Sequence, residues 1–377
     1  MRAYDAIVIG LGAMGSSTLY HLARRGHRVL GIEQFSQGHD LGSSHGDSRI
    51  IREQYFEHPL YVPLVQRAYD LWRELEEESG RALMTLDGGL MIGPLDGMVV
   101  GGTLRSAKEY NLPHELLSPA EVHRRFPAFE LADDLVAVVD PRAGYLDPEA
   151  CTVAHLNGAR LHGAEVHFEE PVTEWAADGD GVRVNTSNGE YVANRLLISA
   201  GAWTKALVTD LNLPLTVERQ VAFWLEPDER SVSYDSREFP IFAHEFTPGI
   251  LCYGFPRLPR GVKASIMHAG ELTESPGDVK RSVHVAEVEA VRAALRPVLP
   301  GLANAPVLQT SVCLFTNTPD HDFVVDFHPR HPQVVISSPC SGHGFKFASV
   351  LGEVHADLMT SGSTSFDISA FRMDRFK

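Results

Sequence analysis

The opening of this chain restricts its fold more than any other stretch. An apolar run, Ala6 to Ile9, leads straight into Gly10-Leu-Gly12-Ala13-Met14-Gly15, after which apolar Leu19, Leu22 and Ala23 recur at helical spacing. Gly26 is placed to end that helix in a left-handed turn, and a second apolar stretch, Arg28 to Ile32, closes on Glu33. Strand, glycine turn, helix, strand and acid in this order make a βαβ unit of a parallel sheet. Gly10 permits the tight turn, Gly12 lets the backbone approach a pyrophosphate, and Gly15 lets the helix pack closely on the strand. The first N–H groups of the helix, at Ala13 and Met14, face an anion. Glu33 stands 18 residues after Gly15, where a carboxylate accepts from both ribose hydroxyls and repels a 2′-phosphate. The unit points to the ADP half of FAD or NAD and away from NADP.

With 377 residues, 44% of them hydrophobic, the chain has ample core for two domains or one interleaved unit. A formal charge of −16 argues against nucleic acid or an anionic membrane as partner. No stretch approaches the roughly 18 uninterrupted apolar residues of a spanning helix. Met1-Arg2 passes into a core strand without a signal-peptide layout, so a cytosolic protein is expected. Cys151, Cys252, Cys313 and Cys340 are widely spaced and form no CxxC pair, which indicates neither a metal site nor a disulfide framework.

Farther along, Tyr61 to Gly80 and Pro148 to His162 read as helices, and Glu165–Phe168, Val172–Ala176 and Val182–Thr186 as strands. Ser187 to Glu190 is a hairpin signal. Arg195 to Trp203 is a buried strand ending in small residues, which suits backbone passing near a ligand. Between Leu215 and Met267 the pattern becomes antiparallel sheet, with strands at Gln220–Leu225, Ile250–Phe255 and Val262–Met267. Val334 to Lys346 returns to a buried strand meeting a glycine turn before a helix from Phe347 to Thr360, whose N-terminus offers a second anion or flavin-carbonyl site. The expected fold is mixed α/β: a discontinuous Rossmann-like FAD-binding domain from residues 1–85, 146–214 and 306–377, interleaved with an antiparallel-sheet substrate domain from 86–145 and 215–305. That layout belongs to a flavoprotein rather than to a typical NAD dehydrogenase.

Six ordered blocks carry a resemblance over nearly the whole chain: Gly10 to Gly15 with Glu33, Gly46-Asp-Ser-Arg49-Ile-Ile-Arg52, Ala200-Gly-Ala-Trp203, Gly254-Phe-Pro256 with Lys263, Cys313 with Thr318-Pro-Asp320, and Ser341-Gly-His-Gly-Phe-Lys346. They resemble the monomeric sarcosine oxidase and N-methyltryptophan oxidase family of covalent flavoproteins, within the glycine and D-amino acid oxidase group. The resemblance implies FAD held by Gly10, Gly12, Ala13, Met14, Gly15, Glu33, Ser43, Ser44, His45, Ser48, Arg49, Val172, Ala200, Gly201, Trp203, Gly342, His343, Gly344, Phe345 and Lys346. It implies a thioether from Cys313 to the flavin, with Cys340, beside the glycine turn, as the rival. It places Arg52 and Lys346 on the substrate carboxylate, Arg49 near the flavin ring and Lys263 at the flavin as the activator of oxygen. A carboxylate about 4 Å from one such cation gains roughly 4 kcal/mol at an effective dielectric near 20, before desolvation. Superoxide formed in the first electron transfer needs a preorganised cation, which suits Lys263, one of only six lysines against 27 arginines. Arg49 and Arg52, three apart, would share a face in a helical turn.

Several pocket positions depart from the family pattern. Met267 stands where a histidine is common, with His268 after it, and Phe315 replaces a tyrosine. One residue is inserted before Tyr253, leaving Ala243 or His244 at a pocket position. Tyr55 and Tyr253 are the candidate pocket aromatics. The expectation is an FAD-dependent oxidase of a secondary amino acid, such as sarcosine, another N-methyl amino acid, or proline or pipecolate, which turns substrate, O2 and water into imine-derived products and hydrogen peroxide. A monomer is expected. A flavin dehydrogenase that uses another electron carrier and a non-catalytic flavin-binding protein are the alternatives.

Overall fold

In the computed structural model, residues 3–228, 230, 232–273 and 275–377 are described. The βαβ unit forms as its glycines dictate. Strand β1 (Ala3–Ile9) leads through Gly10, at φ +84°, into helix α1 (Ala13–Arg24), and the chain re-enters the sheet as β2 (Val29–Ile32). A Cβ on Gly15 would lie 1.8 Å from the Gly10 carbonyl oxygen, so only glycine lets α1 start this close to β1.

β1 lies parallel to both β2 and Glu190–Ile198, with Ile7 opposite Leu196 and Leu30. His331–Ser338 also pairs in parallel with Glu190–Ile198, and Glu165–His167 with β2, while Val172–Asp178, Gly181–Thr186 and Val324–His328 complete the eight-stranded sheet in antiparallel fashion. One face is covered by α1, helix α2 (Val62–Ser79) and the helices Pro148–Leu161 and Ala348–Ser361; their apolar stripes, Leu64, Ala68, Leu71, Trp72 and Leu75 on α2 among them, form the largest core.

A second sheet runs in the order 272–273, 216–225, 261–267, 250–258, 241–247, 89–93, 136–140, 115–117. It is antiparallel except where Ile241–Thr247 meets Gly89–Gly93. Val307–Asn317 joins it along the full length of Thr216–Leu225, so this stretch belongs by hydrogen bonding to the second sheet, although 306–377 was expected in the nucleotide-binding unit. A third, three-stranded sheet begins with β3 (Arg49–Ile51), paired to Gly144–Leu146. Arg49 and Arg52 therefore do not share a helical face.

Candidate active site

Two cavities meet inside the molecule. The larger, about 270 Å³, follows the first sheet's carboxyl edge, where ligands of open α/β sheets bind. Gly10, Gly12, Ala13, Met14, Glu33, Ser43, Ser44, Val172, Ala200, Gly201 and Trp203 line it, as do Cys340 and Gly344. Its polar groups fit an ADP end. Glu33, 6% exposed, accepts from Leu11 N at 2.9 Å and Phe35 N at 3.1 Å, which leaves lone pairs for ribose hydroxyls. Ser44 Oγ accepts from Ala13 N at 3.1 Å, and a Cβ on Gly12 would sit 3.2 Å from that oxygen, so the glycine keeps the backbone approachable. Gly15 stays out of the lining and serves packing alone.

The smaller cavity, about 80 Å³, adjoins the larger at Arg49, Phe315, Gly342 and Phe345, which line both. Strand alternation builds its wall from the second sheet: Ala222 and Trp224; Leu251, Tyr253 and Phe255; Lys263 and Met267; Ser311, Cys313 and Phe315. Within each strand the lining residues fall on positions of one parity. The same parity corrects one expectation. Ala243 lines the chamber, whereas the adjacent His244 points behind the sheet, where burial pushes its imidazole down to about 4 and Nδ1 has no hydrogen-bond partner among the described residues. His268 is a second correction: it turns away to Glu218 Oε2 at 3.2 Å, a carboxylate that also accepts from Asn317, Gln220 and Gly270.

At the opposite wall stand Arg52, Lys346 and Glu57. Arg52, 3% exposed, bonds Glu57 Oε2 and has its guanidinium 4.1 Å from the Tyr55 ring centre and 3.8 Å from that of Phe56. Lys346 Nζ donates to His343 O at 2.8 Å. Burial drives the Lys346 ammonium down to about 7, with Arg52 adding to the effect and Glu57 opposing it. Burial also works to raise the Glu57 carboxyl, but Arg52, His343 and Lys346 outweigh it and hold the group below its ordinary value. Glu57 Oε1 is buried and without a partner among the described residues. Sequence reasoning missed Glu57, Phe56 and Trp224; alternation from Lys263 and Tyr253 on neighbouring strands was the available signal for Trp224, and none existed for Glu57.

Tyr55 does not line the chamber; it supports it. His343 Nε2 lies 3.0 Å from the His321 carbonyl, which can only accept, so Nε2 carries the proton and Nδ1 accepts from Tyr55 OH at 2.5 Å. Burial holds His343 and His45 neutral, both down to about 4. His45, His343 and Cys313 line the chamber rather than the nucleotide cavity, and Ser48 lines neither. Arg49 donates to Ser43 O at 2.7 Å and Ser48 O at 2.8 Å, and so is fixed at the junction. Burial raises Tyr253 to about 12, so its hydroxyl stays protonated. No group of three or more His, Cys, Asp or Glu side chains that could hold a metal occurs among the described residues. Nor is any described helix long and apolar enough to cross a membrane.

A nucleotide cavity that runs from Glu33 to the Gly342–Gly344 turn and opens there on a buried, cation-lined chamber is that of an FAD-dependent oxidoreductase. The chain belongs to that family: residues 5–358 match the family described as DAO, FAD dependent oxidoreductase. It is 44% identical to the monomeric sarcosine oxidase of Streptomyces avermitilis over 372 residues, covering 98% of this chain and 96% of that one. It is 36% identical to the N-methyl-L-tryptophan oxidase of Salmonella agona, covering 99% of each. Among solved structures, NikD, an unusual amino acid oxidase essential for nikkomycin biosynthesis, superposes with a TM-score of 0.85 at 26% identity, covering 99% of this chain and 98% of that one.

Proposed function

We propose that this flavoprotein oxidises secondary amino acids, sarcosine or another small N-methyl or cyclic amino acid, with O2 as acceptor and hydrogen peroxide as product, and that it works as a monomer. The buried Arg52–Lys346 pair, facing a chamber of about 80 Å³ at the end of the nucleotide cavity, carries this reading. Relatives named for sarcosine and N-methyl-L-tryptophan support the amine class.

When bound, FAD supplies a two-electron acceptor for the C–H bond next to the amine nitrogen. Everything else falls to the chain. Arg52 and Lys346 hold the carboxylate, which displaces Glu57 from Arg52. Among the chamber's lining, Arg49, Arg52, Lys263 and Lys346 face a single carboxylate, Glu57. That field depresses a substrate ammonium and favours the neutral amine, so no protein base is required. Ala243, Leu251, Tyr253, Met267, Phe315 and Phe345 enclose the amine and exclude water. Gly10 to Met14, Glu33 and Ser44 would hold the ADP portion, Cys313 would be the point of thioether attachment, and Lys263 would be the cation that serves oxygen.

The test is anaerobic mixing of the holoenzyme with sarcosine, other N-methyl amino acids, proline and pipecolate. Flavin absorbance should bleach with at least one of them, and aeration should restore it with stoichiometric peroxide. Bleaching by none, or recovery only with an added carrier, defeats the reading.

A further inference from the structure

Lys263 is 2% exposed, and its ammonium meets Gly46 O at 2.6 Å, Ser48 O at 2.9 Å and Ser48 Oγ at 3.2 Å. These acceptors converge because the chain reverses between them. Ser48 N donates to Gly46 O at 2.8 Å, the i+2 to i bond of a γ-turn, with φ +66° at the central Asp47. A γ-turn with positive φ is the rare, strained form, and a non-glycine residue persists there only when its surroundings over-determine it.

Here they do. Trp224 Nε1 donates to Asp47 Oδ2 at 3.0 Å, and Arg260 donates to Oδ1 at 2.7 Å while lying 4.5 Å from the Trp224 ring centre. Glu149, in the first turn of Pro148–Leu161, accepts from Gly46 N at 2.5 Å and Asp47 N at 3.3 Å. Asp47 itself lines neither cavity, while Glu149 borders the nucleotide cavity and Gly46, Trp224 and Lys263 border the chamber.

We infer that Asp47 is a positioning residue for Lys263: its clamped turn aims the Gly46 and Ser48 oxygens at the ammonium. The inference rests on the reading of Lys263 as the oxygen-serving cation. Burial is the largest influence lowering the Lys263 ammonium and Arg49 on β3 adds to it; Cys313, Asp47 and Glu149 oppose them. In reoxidation two electrons and two protons pass from the reduced cofactor to O2, giving H2O2, and Asp47 exchanges no atoms.

Two measurements test it, neither needing a substrate. With six lysines in the chain, selective ¹³Cε-lysine NMR of the oxidised holoenzyme isolates the Lys263 signal by its loss in Lys263→Met. Asp47→Asn, which tolerates positive φ, should lower the Lys263 titration midpoint by about one pH unit or more. Air reoxidation of dithionite-reduced Asp47→Asn should slow by about tenfold or more, with no further loss in the Asp47→Asn/Lys263→Met double variant. Asp47→Gly, which relieves the backbone strain, should show both losses as well. An unmoved Lys263 midpoint, or additive losses in the double variant, overturns the inference. Unchanged reoxidation in Lys263→Met overturns the oxygen reading instead and leaves the NMR result to judge the positioning.

Discussion

Burial, with Arg52 adding to it, brings the Lys346 ammonium to about 7 against the opposing Glu57 carboxylate, so its charge changes near neutrality. As pH rises through that value the free protein loses the cation, and a carboxylate loses half its clamp. A bound carboxylate, by contrast, stabilises the cation and draws a proton in. The dissociation constant of an amine-free carboxylate such as propionate, read from the flavin spectrum, should therefore rise above about pH 7 by up to about tenfold per unit. Lys346→Met should bind weakly at all pH values and lack the step. A pH-independent affinity in the unsubstituted enzyme would remove Lys346 from the clamp. Cys313 makes a second residue-scale prediction. It is 9% exposed and faces the chamber, whereas its rival Cys340 lines the nucleotide cavity. Acid precipitation of the unsubstituted protein and of Cys340→Ser should give a yellow pellet, and of Cys313→Ser a colourless one. Colour retained by Cys313→Ser would rule out its thioether.

Among the elements, α1 was legible because everything that defines it is local: three glycines in the turn before it and its first turn, an apolar stripe and a closing Gly26. The crossing of α1 by Ala348–Ser361 was not, since it depends on a contact across the chain. A Cβ on Gly352 would lie 2.1 Å from Ser17 Oγ and 2.7 Å from the Ser17 carbonyl carbon, so the two helices touch backbone to backbone. Gly352→Ala must push Ala348–Ser361 apart from α1, the helix whose first residues, Ala13 and Met14, line the nucleotide cavity. It should cost about 1–3 kcal/mol of stability and also weaken FAD retention. Unaltered urea midpoints with and without flavin would show that the crossing yields freely. Long-range pairing also explains the other surprises. Nothing within Val307–Asn317 says that it will pair with Thr216–Leu225, and Arg49–Ile51 is a strand only because Gly144–Leu146 lies beside it. The candidate chamber was half legible: Arg52, Lys263 and Lys346 stand in motifs and Tyr253 directly precedes one, but which of Ala243 and His244 faces inward is set by strand parity, and Glu57 sits in irregular chain.

Across the whole molecule, the packing around α1 also sets an acid limit. His21 from α1, His155 from Pro148–Leu161 and His355 from Ala348–Ser361 are all buried at this junction. His355 Nδ1 lies 2.9 Å from Thr18 Oγ1, whose own proton goes to Met14 O at 2.8 Å, so Nδ1 donates and Nε2 accepts from Ser337 Oγ at 2.8 Å. Burial lowers all three from the ordinary 6.5, His21 to about 4 and His355 to about 3, and His21 further lowers the other two. Above 6.5 these rings are neutral in folded and unfolded chains alike and leave stability independent of pH. Below it the unfolded chain binds protons that the folded one refuses, so stability falls as pH drops toward the folded values. Each ring can contribute about 1.4 kcal/mol per pH unit in that window. Urea midpoints of the holoenzyme should thus drop steeply between about pH 7 and about pH 5, where ordinary carboxylates are still ionised. His155→Phe, which fills the space beside Tyr20 and Trp72 with a ring that cannot titrate, should reduce the slope by about one proton's worth. A flat midpoint across that range would mean that burial does not hold these rings neutral, and an unchanged slope in His155→Phe that acid enters through other groups.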